Sequence, residues 1–152
     1  MAPVTNSLWQ AVESGHDGNG FVLLNDGTRA LEWRERMIES ATVALDLQTF
    51  LWKEDRTGLL LFRTILEAAG RGVKIRLLVD DTFTMGENDL IYDLDQHPNI
   101  EFRIYNPFRR RYDSIALRQL MNLGEFSRLD HRMHNKVMIS DRRAAIVGGR
   151  NM

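Results

Sequence analysis

Short apolar runs separated by stretches of helical spacing leave this chain few folds to choose from. The runs are Phe21–Leu24, Thr42–Trp52, Val73–Val79 and Ile100–Tyr105. Between them, apolar residues recur at helical intervals over Ala30–Ala41 (positions 30, 31, 37, 38 and 41) and at Leu61, Phe62, Ile65, Leu66 and Ala69. A third helix is expected over Glu87–Gln96. Strands that alternate with helices argue an α/β layer whose strands are parallel and joined by right-handed crossovers. The punctuation agrees with this reading. Asn25-Asp26-Gly27-Thr28 offers turn and N-cap residues, Asp55 and Thr57 can cap the second helix, and Gly70 suits the position just past its end. In Thr42–Trp52, alternation places Val43, Leu45, Leu47 and Leu51 on one face and Asp46, Gln48 and Phe50 on the other.

The 152 residues suit one domain, with residues 1–19 read as a polar lead-in and 20–152 as the folded unit. No apolar run approaches the roughly 18–20 residues that span a bilayer, so the chain is expected to be soluble. The absence of cysteine excludes disulfides, thiolate zinc sites and cysteine nucleophiles. Neither a Walker A pattern nor G-x-G-x-x-G occurs. The formal net charge of −1 rules out a uniformly basic nucleic-acid binder but hides an asymmetry. Residues 1–100 carry 9 basic and 16 acidic side chains, whereas residues 101–152 carry 11 basic and 5 acidic ones. Positive potential therefore gathers in the last third, where it attracts anions such as phosphate.

That third opens on residues 106–133, long for a connection in a compact domain. Arg109-Arg110-Arg111 and an amphipathic stretch with Ile115, Ala116, Leu117, Leu120 and Met121 admit two readings. One is a surface helix packed on the core. The other is a basic, apolar-studded lid that meets an anionic substrate or a membrane surface.

Lys136–Ser140 and Ala144–Val147 then read as a hairpin around a tight turn. Strand parity puts His134 and Lys136 on one face. Pairing 140 with 144 sets 136 opposite 148 and brings Asn151 beside His134, with Gly148 and Gly149 leaving backbone exposed. An imidazole, an ammonium, a carboxamide and open amides in one small space suit phosphoryl transfer. Lysine and asparagine hold phosphate oxygens, and a neutral histidine is a nucleophile near neutrality. No metal or other cofactor is needed if lysine supplies the charge. Asp141 is an odd seven residues from His134, so it faces away on an unbroken strand and serves the turn by accepting nearby backbone amides. A zinc shell of Asp130, His131 and His134 is opposed by the neighbouring arginine and lysine. His16 and His97 sit in turn-like contexts that suit solvated side chains.

His134-x-Lys136-x-x-x-x-Asp141 followed by Gly148-Gly149-x-Asn151 resembles the signature of the phospholipase D superfamily. Asp46-Leu47-Gln48, Leu77-Leu78-Val79-Asp80-Asp81, Tyr105-Asn106-Pro107-Phe108, Arg132-Met133-His134-Asn135-Lys136 and Gly148-Gly149-Arg150-Asn151 resemble its bacterial cardiolipin synthases, in particular the C-type. The resemblance implies a mixed, mostly parallel β-sheet flanked by helices, one half of a two-lobed enzyme. It implies His134 as nucleophile or partner acid and Asp141 supporting from behind, the two forming with Lys136 the catalytic set. Lys136 and Asn151 bind phosphate, and Gly149 and Gln48 are further substrate-binding candidates. Position 149 is glycine where many relatives carry serine, which removes one hydroxyl from phosphate binding. The implied activity is metal-free transfer of a phosphatidyl group between phospholipids through a phosphohistidine, peripheral to the bacterial inner membrane. Family sites use two such signatures and this chain has one, so it is expected to be the amino-terminal half of a longer enzyme. Its expected partners are a phospholipid, a second phospholipase D-like half and a membrane surface, and nucleic acid is not expected. Two other readings stand beside it: a metal-independent phosphodiesterase acting on nucleic acid as a homodimer, and a non-catalytic anion- or lipid-binding module.

Overall fold

The computed structural model describes residues 20–53, 55–81, 94, 96–110 and 114–151. The lead-in over residues 1–19, His16 within it, and all of the expected 87–96 helix except Leu94 and Gln96 lie outside these.

The first helix, α1, spans Gly27–Ser40 and starts where Asp26 accepts the Arg29 amide at 2.9 Å. It buries Ala30, Arg34, Met37 and Ile38. Ahead of it, Phe21–Leu24 forms no strand, and Phe21 is 95% exposed. Arg150 ties this segment down by donating to the Leu24 and Asn25 carbonyls at 2.8 and 2.9 Å.

Strand β1 is Ala44–Thr49, shorter than expected. Leu45, Leu47 and Thr49 are buried, while Val43 is exposed. Helix α2, Arg56–Gly70, starts where Asp55 accepts the Thr57 and Gly58 amides at 3.0 and 2.9 Å. Thr57 is thus a donor to the cap, not the cap. Gly70 lies inside the last turn, and the left-handed residue beyond it is Gly72, with φ of +97°. Gly58 is dictated by packing, since a Cβ there would stand 1.8 Å from the Lys53 carbonyl oxygen. Backbone cannot yield cheaply, so Gly58→Ala is expected to cost about 1–3 kcal/mol, read as a lower denaturant midpoint at unchanged slope.

Strands β2 (Lys74–Asp80), β3 (Ile100–Tyr105), β4 (Val137–Ser140) and β5 (Ala144–Val147) complete a sheet of order β3-β2-β1-β4-β5. β1, β2 and β3 run parallel, and β4 and β5 are antiparallel to their neighbours. The sheet is mixed, with β4 inserted against β1 across about ninety residues of chain. Met37, Ile38, Leu61 and Ile65 from the helices form one core with Leu45, Leu47, Ile75, Leu77 and Met138 from the strands. Alternate strand positions carry Asp46, Gln48, Arg76, Glu101 and Arg103, which line a shallow groove with Asp46 paired to Arg76.

The 106–133 connection holds α3 (Ile115–Met121), a 3-10 turn (Leu123–Glu125) and α4 (Phe126–Leu129). Asn106, with φ of +48°, closes it by donating to the Arg128 and His131 carbonyls at 2.7 and 2.8 Å. Three of its described arginines are engaged within the fold. Arg109 and Arg128 pair with Glu125, and Arg132 pairs with Asp80. Leu117, Leu120 and Met121 on α3 are exposed.

Candidate active site

The hairpin adopts the expected register, Ser140 opposite Ala144 and Val137 opposite Val147. The Gly148 amide extends it by donating to the Lys136 carbonyl at 3.2 Å. That amide is spent, so it is not open to a ligand as expected, whereas Gly149 lies beyond the ladder with open space about it. Asp141 and Arg142 take φ of +51° and +59°, the successive positive values of a type I′ turn, and Arg143 N–H donates to Ser140 at 2.9 Å.

Asp141 occupies the end of β4 remote from His134, roughly 20 Å away at ~3.3 Å per residue. Its carboxylate accepts four hydrogen bonds at the entry to β1. The Val43 and Ala44 amides reach one oxygen at 2.8 Å each, and the Thr42 amide and hydroxyl reach the other at 2.9 and 3.0 Å. Desolvation pushes its pKa up. The bonds from Ala44, Thr42 and Val43 outweigh that and hold it below the usual carboxylate value. The expected acceptor role is present, but toward amides nearly a hundred residues away, and the geometry supports a structural staple and not contact with a reacting group.

At the other end of β4 the candidate groups gather around a corner at Thr49-Phe50-Leu51. Thr49 Oγ1 donates to the Leu51 carbonyl at 2.9 Å, ending β1. His134 is exposed, and its ring meets Phe50 edge-to-face with centroids 4.7 Å apart. Lys136 is buried, donates to the His134 carbonyl at 2.9 Å, and stands 5.1 Å from the Phe50 centroid. Burial pulls the lysine pKa down. Asn151 Oδ1 accepts the Leu51 amide at 3.2 Å. Gln48 is not with them by strand parity: it lines the groove on the other face and accepts from Asn135 at 3.2 Å.

Asp80 was named in the sequence only within the stretch Leu77-Leu78-Val79-Asp80-Asp81, with no role assigned to it, and the structure ties it to the residues before His134. It is fully buried, accepts the Met133 amide at 2.9 Å and pairs with Arg132 at 3.2 Å, so the residue before His134 is anchored from β2. Arg34, also buried, reaches the Arg150 carbonyl beside Asn151 at 3.4 Å. Neither contact has a local sequence signal, because each spans more than fifty residues. Among the described residues no group of three or more histidine, aspartate or glutamate side chains is placed to hold a metal. His131 Nδ1 lies 2.8 Å from the Ser127 carbonyl, and Asp130 is exposed. His97 lies in a turn as expected, but its side chain is half-buried and not simply solvated, with Nδ1 accepting the Asn99 amide at 3.2 Å.

Residues 35–152 match the family described as "Cardiolipin synthase, PLD-like domain". The chain belongs to that family. This phospholipase D-like domain is 44% identical over 140 residues to cardiolipin synthase C of Escherichia coli, covering 91% of the chain and 29% of the relative. It is 30% identical over 138 residues to cardiolipin synthase B of Shigella flexneri, covering 91% of the chain and 31% of the relative. The domain thus spans about three-tenths of these relatives' length. Its fold is shared with NucT from Helicobacter pylori, at a TM-score of 0.58 and 21% identity over 86% of the chain and 72% of NucT. Among the described residues no helix of the phospholipase D-like domain is long and apolar enough to cross a membrane.

Proposed function

We propose that this domain supplies one of two half-sites for phosphatidyl transfer between phospholipids, as in the cardiolipin synthases it is similar to. The observation that carries the reading is the convergence of an exposed imidazole, a buried ammonium and a carboxamide on the corner after β1. His134 attacks phosphorus, an N–P bond forms, and the P–O bond to the donor's alcohol breaks. That alcohol leaves with a proton from an acid on a second phospholipase D-like half. The acceptor lipid's hydroxyl then attacks, loses its proton to that same group, and releases His134. Lys136 and Asn151 offset the charge on the phosphoryl oxygens as phosphorus becomes five-coordinate. Gly149 leaves room for a phosphate, and Gln48 borders the approach through Asn135. Asp141 serves this site through the hairpin. The substrate places the full-length protein at a membrane surface.

The full-length protein incubated with labelled phosphatidylglycerol is expected to carry acid-labile label on His134. His134→Ala is expected to lose turnover by at least about 10³-fold, since it removes the imidazole on which the intermediate forms. Turnover of nucleic acid but not lipid, with a homodimer in solution, would favour a nucleic-acid phosphodiesterase. Lipid binding without turnover of either would favour a binding module. Unlabelled protein with full activity in His134→Ala overturns the proposal.

A further inference from the structure

Phe50 is the first residue past β1, where the Thr49–Leu51 contact turns the chain out of the sheet. Its ring lies at 62° to the His134 imidazole, with centroids 4.7 Å apart. The Lys136 ammonium stands 5.1 Å from the same centroid, inside the about 6 Å range over which an aromatic face attracts a cation. The next residue, Leu51, gives its amide to Asn151. One dipeptide therefore touches the imidazole, the ammonium and the carboxamide. Among the described residues the His134 ring makes no hydrogen bond, so its contact with Phe50 is what restricts an otherwise solvent-exposed side chain.

We infer that Phe50 is a positioning residue for phosphoryl transfer, holding the His134 imidazole and the Lys136 ammonium in a fixed mutual geometry toward one phosphate. The inference rests on the half-site reading above. An exposed histidine samples several rotamers, and only those that aim a ring nitrogen at phosphorus are productive. An edge-to-face partner selects among them because the ring quadrupole favours that arrangement over a sandwich. The Phe50 ring also attracts the ammonium, so both groups are held against one side chain. Phe50 carries no exchangeable proton, so it acts through shape and quadrupole alone. Leucine keeps most of its bulk without the face, and tyrosine keeps both.

The experiment compares Phe50→Leu, Phe50→Tyr and His134→Ala in the full-length protein, on phosphatidylglycerol vesicles. Four quantities are read: kcat, KM, the rate at which label appears on His134, and thermal midpoint. Phe50→Leu is expected to lower kcat and the labelling rate together by about 10–100-fold, the penalty of roughly an ångström of misplacement. KM is expected to stay within about threefold, because lipid contacts elsewhere set it. Phe50→Tyr is expected to recover most of the lost rate. Phe50 is only half-buried, so both variants are expected to fold. Near-normal kcat in Phe50→Leu beside an inactive His134→Ala overturns the positioning role and leaves the half-site intact. A rate loss that follows the thermal midpoint and is not rescued by tyrosine also overturns it, as a structural effect. An active His134→Ala overturns the half-site reading instead.

Discussion

Replacing Lys136 with methionine is expected to lower kcat on phosphatidylglycerol by about 10²–10³-fold, the loss associated with one group that stabilises developing charge. The same variant is expected to unfold at a midpoint no lower than that of the parent protein. Lys136 is 5% exposed and its ammonium is held by the His134 carbonyl and the Phe50 face, with no carboxylate among its contacts to the described residues. Burial therefore disfavours the charged form and pulls the folded-state pKa below the unfolded one. Between those two pKa values the unfolded chain binds more protons, so folding stability rises with pH across that window. At neutral pH the charge is held at a cost that a methionine of similar length does not incur. The proposed contact of Lys136 with a phosphate oxygen would account for that cost. Thermal melts and initial rates on the full-length protein read both quantities, and methionine activity within about threefold of the parent would remove Lys136 from the chemistry.

The parts of this fold that were legible are those whose information is local. Ile100–Tyr105 appears with the expected bounds because six residues of alternating burial need no distant context. The hairpin register followed from a turn only three residues long, which leaves no slack between Ser140 and Ala144. Phe50 shows where such reasoning stops. Parity assigned it to the face of Asp46 and Gln48, which holds only while the strand continues. The Thr49 hydroxyl diverts the chain, and the ring meets His134 instead. Asp80 and Asp141 were visible as carboxylates in the right neighbourhoods. Their partners, the Met133 amide and the Thr42–Ala44 amides, are 53 and 97 or more residues distant, and no periodicity encodes such contacts. Phe21–Leu24 failed for the opposite reason, since apolar composition alone does not supply a strand to pair with.

Asp141 is expected to behave as the reverse of Lys136: its loss should cost stability and spare the chemistry of whatever remains folded. Its two oxygens take four hydrogen bonds, three from backbone amides that β1 leaves outside its own ladder. Asparagine retains one acceptor oxygen and turns an amide toward donors on the other side, so Asp141→Asn is expected to lose about 2–3 kcal/mol, a discount on four charge-assisted bonds because the turn is partly wet. The pH dependence distinguishes this from a packing defect. The folded-state pKa is depressed, so the contribution is complete above the unfolded value near 3.9 and disappears as pH falls through the folded value. The stability gap between parent and Asp141→Asn should therefore be constant from about pH 5 upward and should close below about pH 4. At a temperature where both proteins are folded, kcat is expected to agree within about threefold, because the carboxylate stands at the far end of β4 from His134. A stability gap that persists unchanged to pH 2 would show that the charge on Asp141 is not what ties the hairpin to β1. A large loss of kcat in fully folded Asp141→Asn would place this residue in the reaction itself.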